Sequence, residues 1–302
     1  MSMKLASRSG ITRRRCLLGR VSRPRRGSAG FTVTELVVAA AILALLLAGI
    51  YQVLSSGWET YAVGDAKADM QQNARLIMEV VEGDLRLIGY GYPTDPALIN
   101  PLPRVTGASG TLITFWADLN GVTQVLAANA AAGATTLSIA NAKGFKATGS
   151  PKDTVYLING GTFESRTLSS SNTTATPNTL TLAAGTTNAY PQGSLVGRPR
   201  QVSYSYNAGQ QKLYRDEGDG TGANVAAENV TAFQLRYFDS ADAEISTAAG
   251  VELGSTDATT KAAALNRIRR IRVTLTVQAS KMTRPSGLQT YQVTSDVRPR
   301  NL

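Results

Sequence analysis

One apolar stretch dominates this sequence, running from Phe31 to Leu54 with a single carboxylate, Glu35, near its start. Between Leu36 and Ile50 no side chain is polar. As a helix, about 24 residues rising about 1.5 Å each reach across a hydrocarbon core of about 30 Å. Residues 31–54 are therefore predicted to form a membrane-spanning helix, and the rest of the chain must be organised around that anchor.

A basic leader precedes the apolar stretch. It contains nine basic residues and no acidic one: Lys4, Arg8, Arg13, Arg14, Arg15, Arg20, Arg23, Arg25 and Arg26. Basic flanks stay on the cytoplasmic side of a membrane, so the chain after Leu54 is predicted to lie outside the cytoplasm. Without the leader, 22 of the 31 basic residues remain against 21 acidic ones. The net charge of +10 therefore gives no support for a nucleic-acid partner.

Glu35 is the unusual residue of this stretch. An ionised carboxylate in a membrane segment costs on the order of 3 kcal/mol and usually marks a function. Such a carboxylate needs a cation close by. A new amino terminus at Phe31 would supply one, and a contact four residues back along the same helix is also sterically possible. The plainer alternative is an ordinary signal anchor whose Glu35 reaches the membrane interface.

The segment from Gly30 to Glu35, Gly-Phe-Thr-Val-Thr-Glu, resembles the class III signal of type IV pilins and type II secretion pseudopilins. The resemblance implies that a membrane-embedded prepilin peptidase cuts after Gly30 and methylates the amine of Phe31. It also implies that Glu35 meets the amine of a neighbouring subunit as this chain enters a filament. Gly30 and Phe31 are thus the expected processing site, and Phe31 and Glu35 the expected assembly residues.

Two other export signals fit the leader less well. The run from Thr12 to Leu18 is similar to a twin-arginine signal, but the apolar region starts more than a dozen residues later and nothing downstream is typical of a cofactor site. A secretory signal needs small residues at a cut after the apolar run, and residues 55–57 are a poor match.

Composition removes several kinds of chemistry. The sequence has no histidine, and its one cysteine, Cys16, lies in the leader. Cys/His zinc sites, a Ser-His-Asp triad and a cysteine-protease dyad are therefore excluded. A chain starting at Phe31 cannot form an internal disulfide. We expect no catalytic activity and no cofactor.

After the membrane segment, residues 55–92 are predicted to continue as an amphipathic stem helix. Apolar or small residues recur three or four apart at Met70, Ala74, Ile77, Val81, Leu85 and Ile88. The other face offers opposite charges at Arg75 and Glu79 and at Glu82 and Arg86. The run from Gly89 to Pro93 should end the helix. One helix is thus expected from Phe31 to about Ile88.

Residues 93–302 are predicted to form a β-rich head, which makes the fold class α+β. Residues 94–110 are rich in Pro and Gly and are expected to be a loop. The clearest strands are 200–206, 229–239 and 268–277, which alternate apolar and polar residues. Residues 127–197 are rich in Ala, Thr, Ser and Gly and predict a small antiparallel β insertion.

Segments of the stem and head resemble the PilW branch of minor pilins. They are Met-Gln-Gln-Asn-Ala-Arg at 70–75, Gly-Asp-Leu-Arg-Leu-Ile-Gly-Tyr at 83–90, Leu-Tyr-Arg at 213, Phe-Gln-Leu-Arg-Tyr at 233, Ile-Arg-Val-Thr-Leu at 271 and Val-Arg-Pro-Arg-Asn-Leu at 297. The resemblance implies a type IV pilin-like fold, with the long N-terminal helix packed on an antiparallel sheet.

The functional expectation is a minor pilin held in the bacterial inner membrane and then assembled at or near the tip of a pilus. The implied partners are the prepilin peptidase, other minor pilins and the major pilin. A J-type pseudopilin of a type II secretion system shares the same processing and fold and stays open as an alternative. A membrane-anchored protein that binds DNA or surfaces is a second alternative.

Two clusters in the head could bind ligands. Asp216, Glu217 and Asp219 lie in a glycine-rich turn of the kind that holds calcium, but their spacing is not that of an EF-hand, and a solvated hairpin loop is the simpler reading. The basic cluster Arg267, Arg269, Arg270 and Arg272 could touch nucleic acid. We instead expect it to be a wet edge of the sheet, because residues 270 and 272 share one face of a strand.

Overall fold

A computed structural model describes residues 30–93, 103–279 and 289–302. The chain divides into two compact units, with the boundary between Gly57 and Trp58. The leader is predicted to comprise residues 1–30, of which residues 1–29, including Cys16, lie outside the described residues. Residues 94–102 of the predicted loop at 94–110 also lie outside them.

Helix α1 runs from Val33 to Arg86 without a break. Within the first unit its apolar side chains are exposed. Its most apolar 18-residue window has a mean hydropathy of 2.5, so by length and composition this helix can cross a membrane. The single helix predicted from Phe31 to about Ile88 is confirmed to within two residues at each end.

Two glycines turn the chain after α1. Gly89 and Gly91 have positive φ angles of 79° and 73°, which glycine adopts without steric cost. The Gly89 N–H donates to the carbonyl oxygen of Trp116 at 2.7 Å. The predicted stop at this glycine-rich run is confirmed, and the turn leads the chain from the helix into the sheets.

The described part of the second unit contains fifteen strands. They are β1 Val105–Ala108, β2 Leu112–Ala117, β3 Gln124–Val125, β4 Thr136–Ile139, β5 Thr154–Asn159, β6 Thr162–Asn172, β7 Asn178–Leu182, β8 Leu195–Gly197, β9 Arg200–Asn207, β10 Lys212–Asp216, β11 Asn224–Ala227, β12 Val230–Phe238, β13 Glu244–Ile245, β14 Arg270–Gln278 and β15 Thr290–Val297. A 3₁₀ turn at Glu252–Gly254 and helix α2 at Ala258–Arg267 lie between β13 and β14.

The strands form three antiparallel sheets. Their orders are β1-β2-β9-β10-β11, β13-β12-β14-β15 and β3-β8-β5-β6-β7-β4. A long apolar helix followed by antiparallel sheets is the predicted α+β class, in a layout consistent with a type IV pilin-like fold.

The C-terminal part of α1 shares one core with the five-stranded and four-stranded sheets. The helix contributes a buried face from Met70 through Ala74, Met78 and Val81 to Leu85. The predicted alternation in the strands is confirmed, because the inward residues of β9, β12 and β14 are buried. Burial of this face, rather than local propensity, holds the stem against the head.

The six-stranded sheet has a separate apolar core, which includes Leu137, Leu157, Leu180 and Val196. Its strand β8 crosses the turn after α1 at close range, because a Cβ built on Gly197 would lie 1.9 Å from the carbonyl oxygen of Gly91. Real Cβ atoms do not approach that closely, so only glycine fits at position 197 with this backbone.

Two expectations for the head were wrong in detail, and the sequence did not predict one further element. The loop predicted for 94–110 contains β1, which pairs with β2 through a bulge after Val105. Helix α2 had not been expected; it is capped by Asp257, whose carboxylate accepts from the Thr260 N–H at 2.7 Å. Strand β14 lies between β12 and β15, so the arginines at 270 and 272 are not on an edge of the sheet.

Candidate processing and assembly site

The predicted cleavage point lies just before helix α1, in non-helical backbone. Residues 30–32 are exposed and precede the first helical residue, Val33. The side chain of Phe31 is 87% exposed. The Gly30–Phe31 peptide bond is therefore accessible in the first unit, as a peptidase substrate must be.

Thr32 and Glu35 cap the start of α1 reciprocally. The Thr32 N–H donates to Oε2 of Glu35 at 2.9 Å, and the Glu35 N–H donates to the Thr32 hydroxyl at 3.3 Å. The Thr32 hydroxyl also donates to Oε2 at 3.0 Å. This is the capping box of Ser/Thr-x-x-Glu sequences, in which the two residues satisfy backbone donors that a helix start leaves free.

The two carboxylate oxygens of Glu35 differ in their contacts with the described residues. Both hydrogen bonds to the carboxylate end on Oε2, and no donor among the described residues reaches Oε1. Glu35 is also exposed. Within the described residues, the geometry therefore holds the carboxylate through one oxygen and leaves the other open to a cation.

Sequence reasoning found Glu35 but missed its local partner. The sequence offers an amine of this chain or of a neighbour as the partner of Glu35, and the structure adds Thr32. The signal was present, because a threonine three residues before a glutamate at the start of an apolar run is the capping-box pattern. Cleavage after Gly30 would leave the Thr32 N–H an ordinary amide, so the box can persist in a chain that starts at Phe31.

A second polar contact ties the stem to the sheet within the second unit. Asp84 is a buried carboxylate on α1. It accepts from the Tyr204 hydroxyl at 2.5 Å and from Nε of Arg215 at 2.7 Å. Burial first, and then the charge of Asp84, raises the pKa of the Tyr204 hydroxyl well above its ordinary value. Tyr204 therefore stays protonated and donates at any physiological pH.

Buried charges also join the insertion to the main sheets. Asp153 accepts from Nη1 of Arg198 at 3.3 Å and from Nη2 of Arg200 at 2.8 Å. Arg198 is 3% exposed and also lies 3.5 Å from Asp118. Within the described residues, Nε of Arg198 has no hydrogen-bond partner. Asp153 and Asp118 together thus neutralise the buried Arg198 guanidinium, and Asp153 also pairs with Arg200.

The three carboxylates of the calcium candidate are neighbours in sequence, but the fold does not gather them into a metal site. Asp216 accepts from the Gly218 N–H at 2.8 Å, Glu217 pairs with Arg215, and Asp219 accepts from the Thr221 N–H at 2.9 Å. The hydrogen bonds from Thr221 hold the pKa of Asp219 below its ordinary value. No group of three carboxylates in the described ranges is arranged to hold a metal ion.

The basic cluster of the head is largely paired with acidic side chains. Arg267 contacts Asp239 and Glu252, Arg270 contacts Asp242 and Asp296, and Arg272 contacts Asp296, all between 2.9 and 3.0 Å. Arg269 donates to the backbone carbonyls of Asn266 and Ile268. The guanidinium of Arg270 also lies 3.7 Å from the ring centre of Phe238.

This pairing bears on whether the basic cluster could bind nucleic acid. Three of the four arginines have carboxylate partners, so the cluster carries little uncompensated charge toward a phosphate backbone. The geometry gives no support to a nucleic-acid interface here.

Comparison with known proteins bears on the N-terminal segment. Residues 25–51 match the prokaryotic N-terminal methylation motif. The chain is 33% identical over 84 residues to the pilin-like protein PilA3 of Thermus thermophilus. That similarity covers 26% of this chain and 36% of the relative, so the chain spans about a third of the relative's length. No solved structure matches the chain. The motif and the relative support a type IV pilin-like protein with a prepilin-type signal.

Proposed function

We propose that this chain is a minor type IV pilin of the PilW kind, which takes part in assembling or priming the filament. In this account the prepilin peptidase cuts after Gly30 and methylates Phe31. Helix α1 then holds the chain in the bacterial inner membrane, with the head outside the cytoplasm, until the chain enters the filament at or near its tip. The methylation motif and the exposed Gly30–Phe31 bond support the processing step.

The observation that carries the assembly step is the geometry of Glu35. Its Oε2 is held by Thr32 at 2.9 Å and 3.0 Å, while Oε1 stays open. A fixed carboxylate in an apolar surrounding attracts an ammonium group strongly, because little water screens the pair. The methylated Phe31 amine of a neighbouring subunit is such a group, and the pair would set the axial position of one subunit against the next.

In this proposal the head makes contacts with partners and carries out no catalysis. The insertion at 127–197 has a polar surface, and we assign it to contacts with other minor pilins or with a surface. Other minor pilins and the major pilin are the proposed partners of the assembled state.

Three variants separate charge from helix capping. Glu35→Gln removes the charge and retains an acceptor oxygen, since glutamine also serves in a capping box. Thr32→Val retains the charge and removes the capping hydroxyl, which costs about 1 kcal/mol at a helix start. Glu35→Ala removes both. Precursor cleavage and recovery in sheared filaments would be measured for each.

We expect all three variants to be cleaved. Both Glu35 variants should be depleted from filaments and Thr32→Val retained, because the ammonium needs the charge and not the cap. Recovery of Glu35→Gln at the level of the unmodified chain would overturn the assembly role. Co-purification with secretion pseudopilins instead of pilus subunits would assign the chain to the alternative secretion system.

A further inference from the structure

Two aromatic side chains are exposed to solvent on the stretch of α1 that precedes the head. Trp58 and Tyr61 are 74% and 76% exposed. Met70 is the first residue of α1 that the head buries. Exposing large aromatic side chains to water costs free energy, which is recovered when their apolar surface is buried against a partner or a membrane.

Both side chains lie on one side of the helix and lean in one direction. Residues three apart share a helix face. The Cα–Cβ bonds of a helix tilt toward its N-terminus, which here is the side of the apolar run. Trp58 and Tyr61 therefore lean toward the segment that can cross a membrane.

Their level along the helix matches the outer headgroup layer. With Glu35 at the cytoplasmic boundary, about 20 residues at about 1.5 Å each place Ser55 at the other boundary of a hydrocarbon core of about 30 Å. Trp58 and Tyr61 follow about 5 and 9 Å further on. The polar layers on the two sides together add about 10–15 Å to the core, or about 5–7.5 Å on each side. Trp58 therefore falls inside the outer layer, and the Tyr61 backbone lies about 2–4 Å beyond it, with a side chain that leans back toward the layer.

We propose that Trp58 and Tyr61 form a lipid-binding anchor at the outer membrane–water interface and fix the depth of α1 before assembly. Tryptophan and tyrosine are enriched at this level because their rings bury apolar area while the N–H or O–H stays in the polar layer. The anchor is continuous in sequence with the membrane-crossing segment, and this inference rests on the membrane-held state of the proposed function.

The chain contains only two tryptophans, Trp58 and Trp116, which makes a fluorescence test direct. Trp116→Phe leaves Trp58 as the single reporter. Trp58→Phe is the matched control, because its reporter Trp116 lies in the head and stacks on Tyr92 with ring centres 5.3 Å apart. Each full-length variant would be placed in phosphatidylcholine vesicles at low protein density.

Lipids brominated near the headgroup end of the acyl chain should quench Trp58 several-fold more than lipids brominated near the chain end. Aqueous acrylamide should quench Trp58 weakly, and brominated lipids should leave Trp116 almost unchanged. Adding Tyr61→Ala to the Trp116→Phe variant should raise the acrylamide quenching of Trp58.

Vesicle flotation separates the two proposals. One contrary result is that the protein floats with the vesicles while acrylamide quenches Trp58 freely, and another is that it floats while lipids brominated at the chain end quench Trp58 most. Either result overturns the anchor alone. Failure to float overturns both the anchor and the membrane-held state. Protection of Trp58 only at high protein density would assign this face to a second copy of the chain and would also overturn the lipid anchor.

Discussion

Asp84 on helix α1 accepts a hydrogen bond from Nε of Arg215 on β10 at 2.7 Å. The two residues come from segments that sequence reasoning matched separately to the same kind of pilin, residues 83–90 and 213–215. The fold brings those segments together, and Tyr204 completes the contact at 2.5 Å. A charged and hydrogen-bonded joint therefore supplements apolar packing where the stem meets the sheet.

Replacing Asp84 with Ala should destabilise the second unit by about 2–3 kcal/mol, because the buried Tyr204 hydroxyl and Nε of Arg215 lose their acceptor. Arg215 keeps its pair with Glu217. Urea unfolding of the full chain in detergent, followed by circular dichroism, would measure the change. Glu82→Ala is the matched control on the same helix. It removes an exposed pair with Arg86 and should cost less than about 0.5 kcal/mol. Equal losses of unfolding free energy in the two variants would show that the Asp84 contact does not stabilise the packing of the stem on the sheet.

Asp153→Ala should loosen the attachment of the insertion. The change removes one of the two carboxylates beside Arg198, which is 3% exposed, and also the partner of Arg200, at a cost of about 3–5 kcal/mol. Lys212→Ala breaks a surface pair with Glu228 and should cost at most about 1 kcal/mol.

Limited proteolysis offers a second readout for Asp153. Cleavage should begin at the borders of residues 127–197 in Asp153→Ala and not in Lys212→Ala. An Asp153 variant as resistant as the unmodified chain would show that the buried charges do not hold the insertion.

The stability of the four-stranded sheet should fall in acid. The hydrogen bond from Arg272, and then that from Arg270, holds the pKa of Asp296 below its ordinary value of 3.8. A carboxylate with a lowered folded pKa stabilises the fold above its unfolded pKa, and this contribution disappears as pH falls through the folded pKa.

The urea midpoint should therefore decline below about pH 4, and less steeply for Asp296→Asn. The effect should be modest, since Asp296 is 41% exposed at its side chain. Identical pH profiles for the two proteins would contradict this assignment.

Periodicity predicted much of the fold because burial repeats regularly along each element. The packed face of the stem followed from residues three and four apart, and the alternating strands β9, β12 and β14 from inward apolar side chains. Gly89 and Gly91 marked the end of α1. The class III signal could be recognised because it combines a short motif, residues 30–35, with the apolar run that follows it.

Long-range polar pairing could not be read in the same way. Asp84 looks like a solvated residue on a helix until Arg215, 131 residues later, is placed beside it. Strand β1 is short and follows a proline-rich stretch, and α2 has a weak apolar face. The carboxylate partners of Arg267, Arg270 and Arg272 lie in distant parts of the sequence. The sequence alone therefore does not show that their charge is compensated.

Mass spectrometry of the mature N-terminus, on protein isolated from cells that carry a prepilin peptidase, tests the central claim most directly. The account predicts a chain that begins at an N-methylated Phe31 and retains Glu35 in its helix. A Gly30→Val variant should keep the leader and supplies the uncleaved reference. A native chain that still carries residues 1–30, or that begins beyond Leu54, would contradict the account.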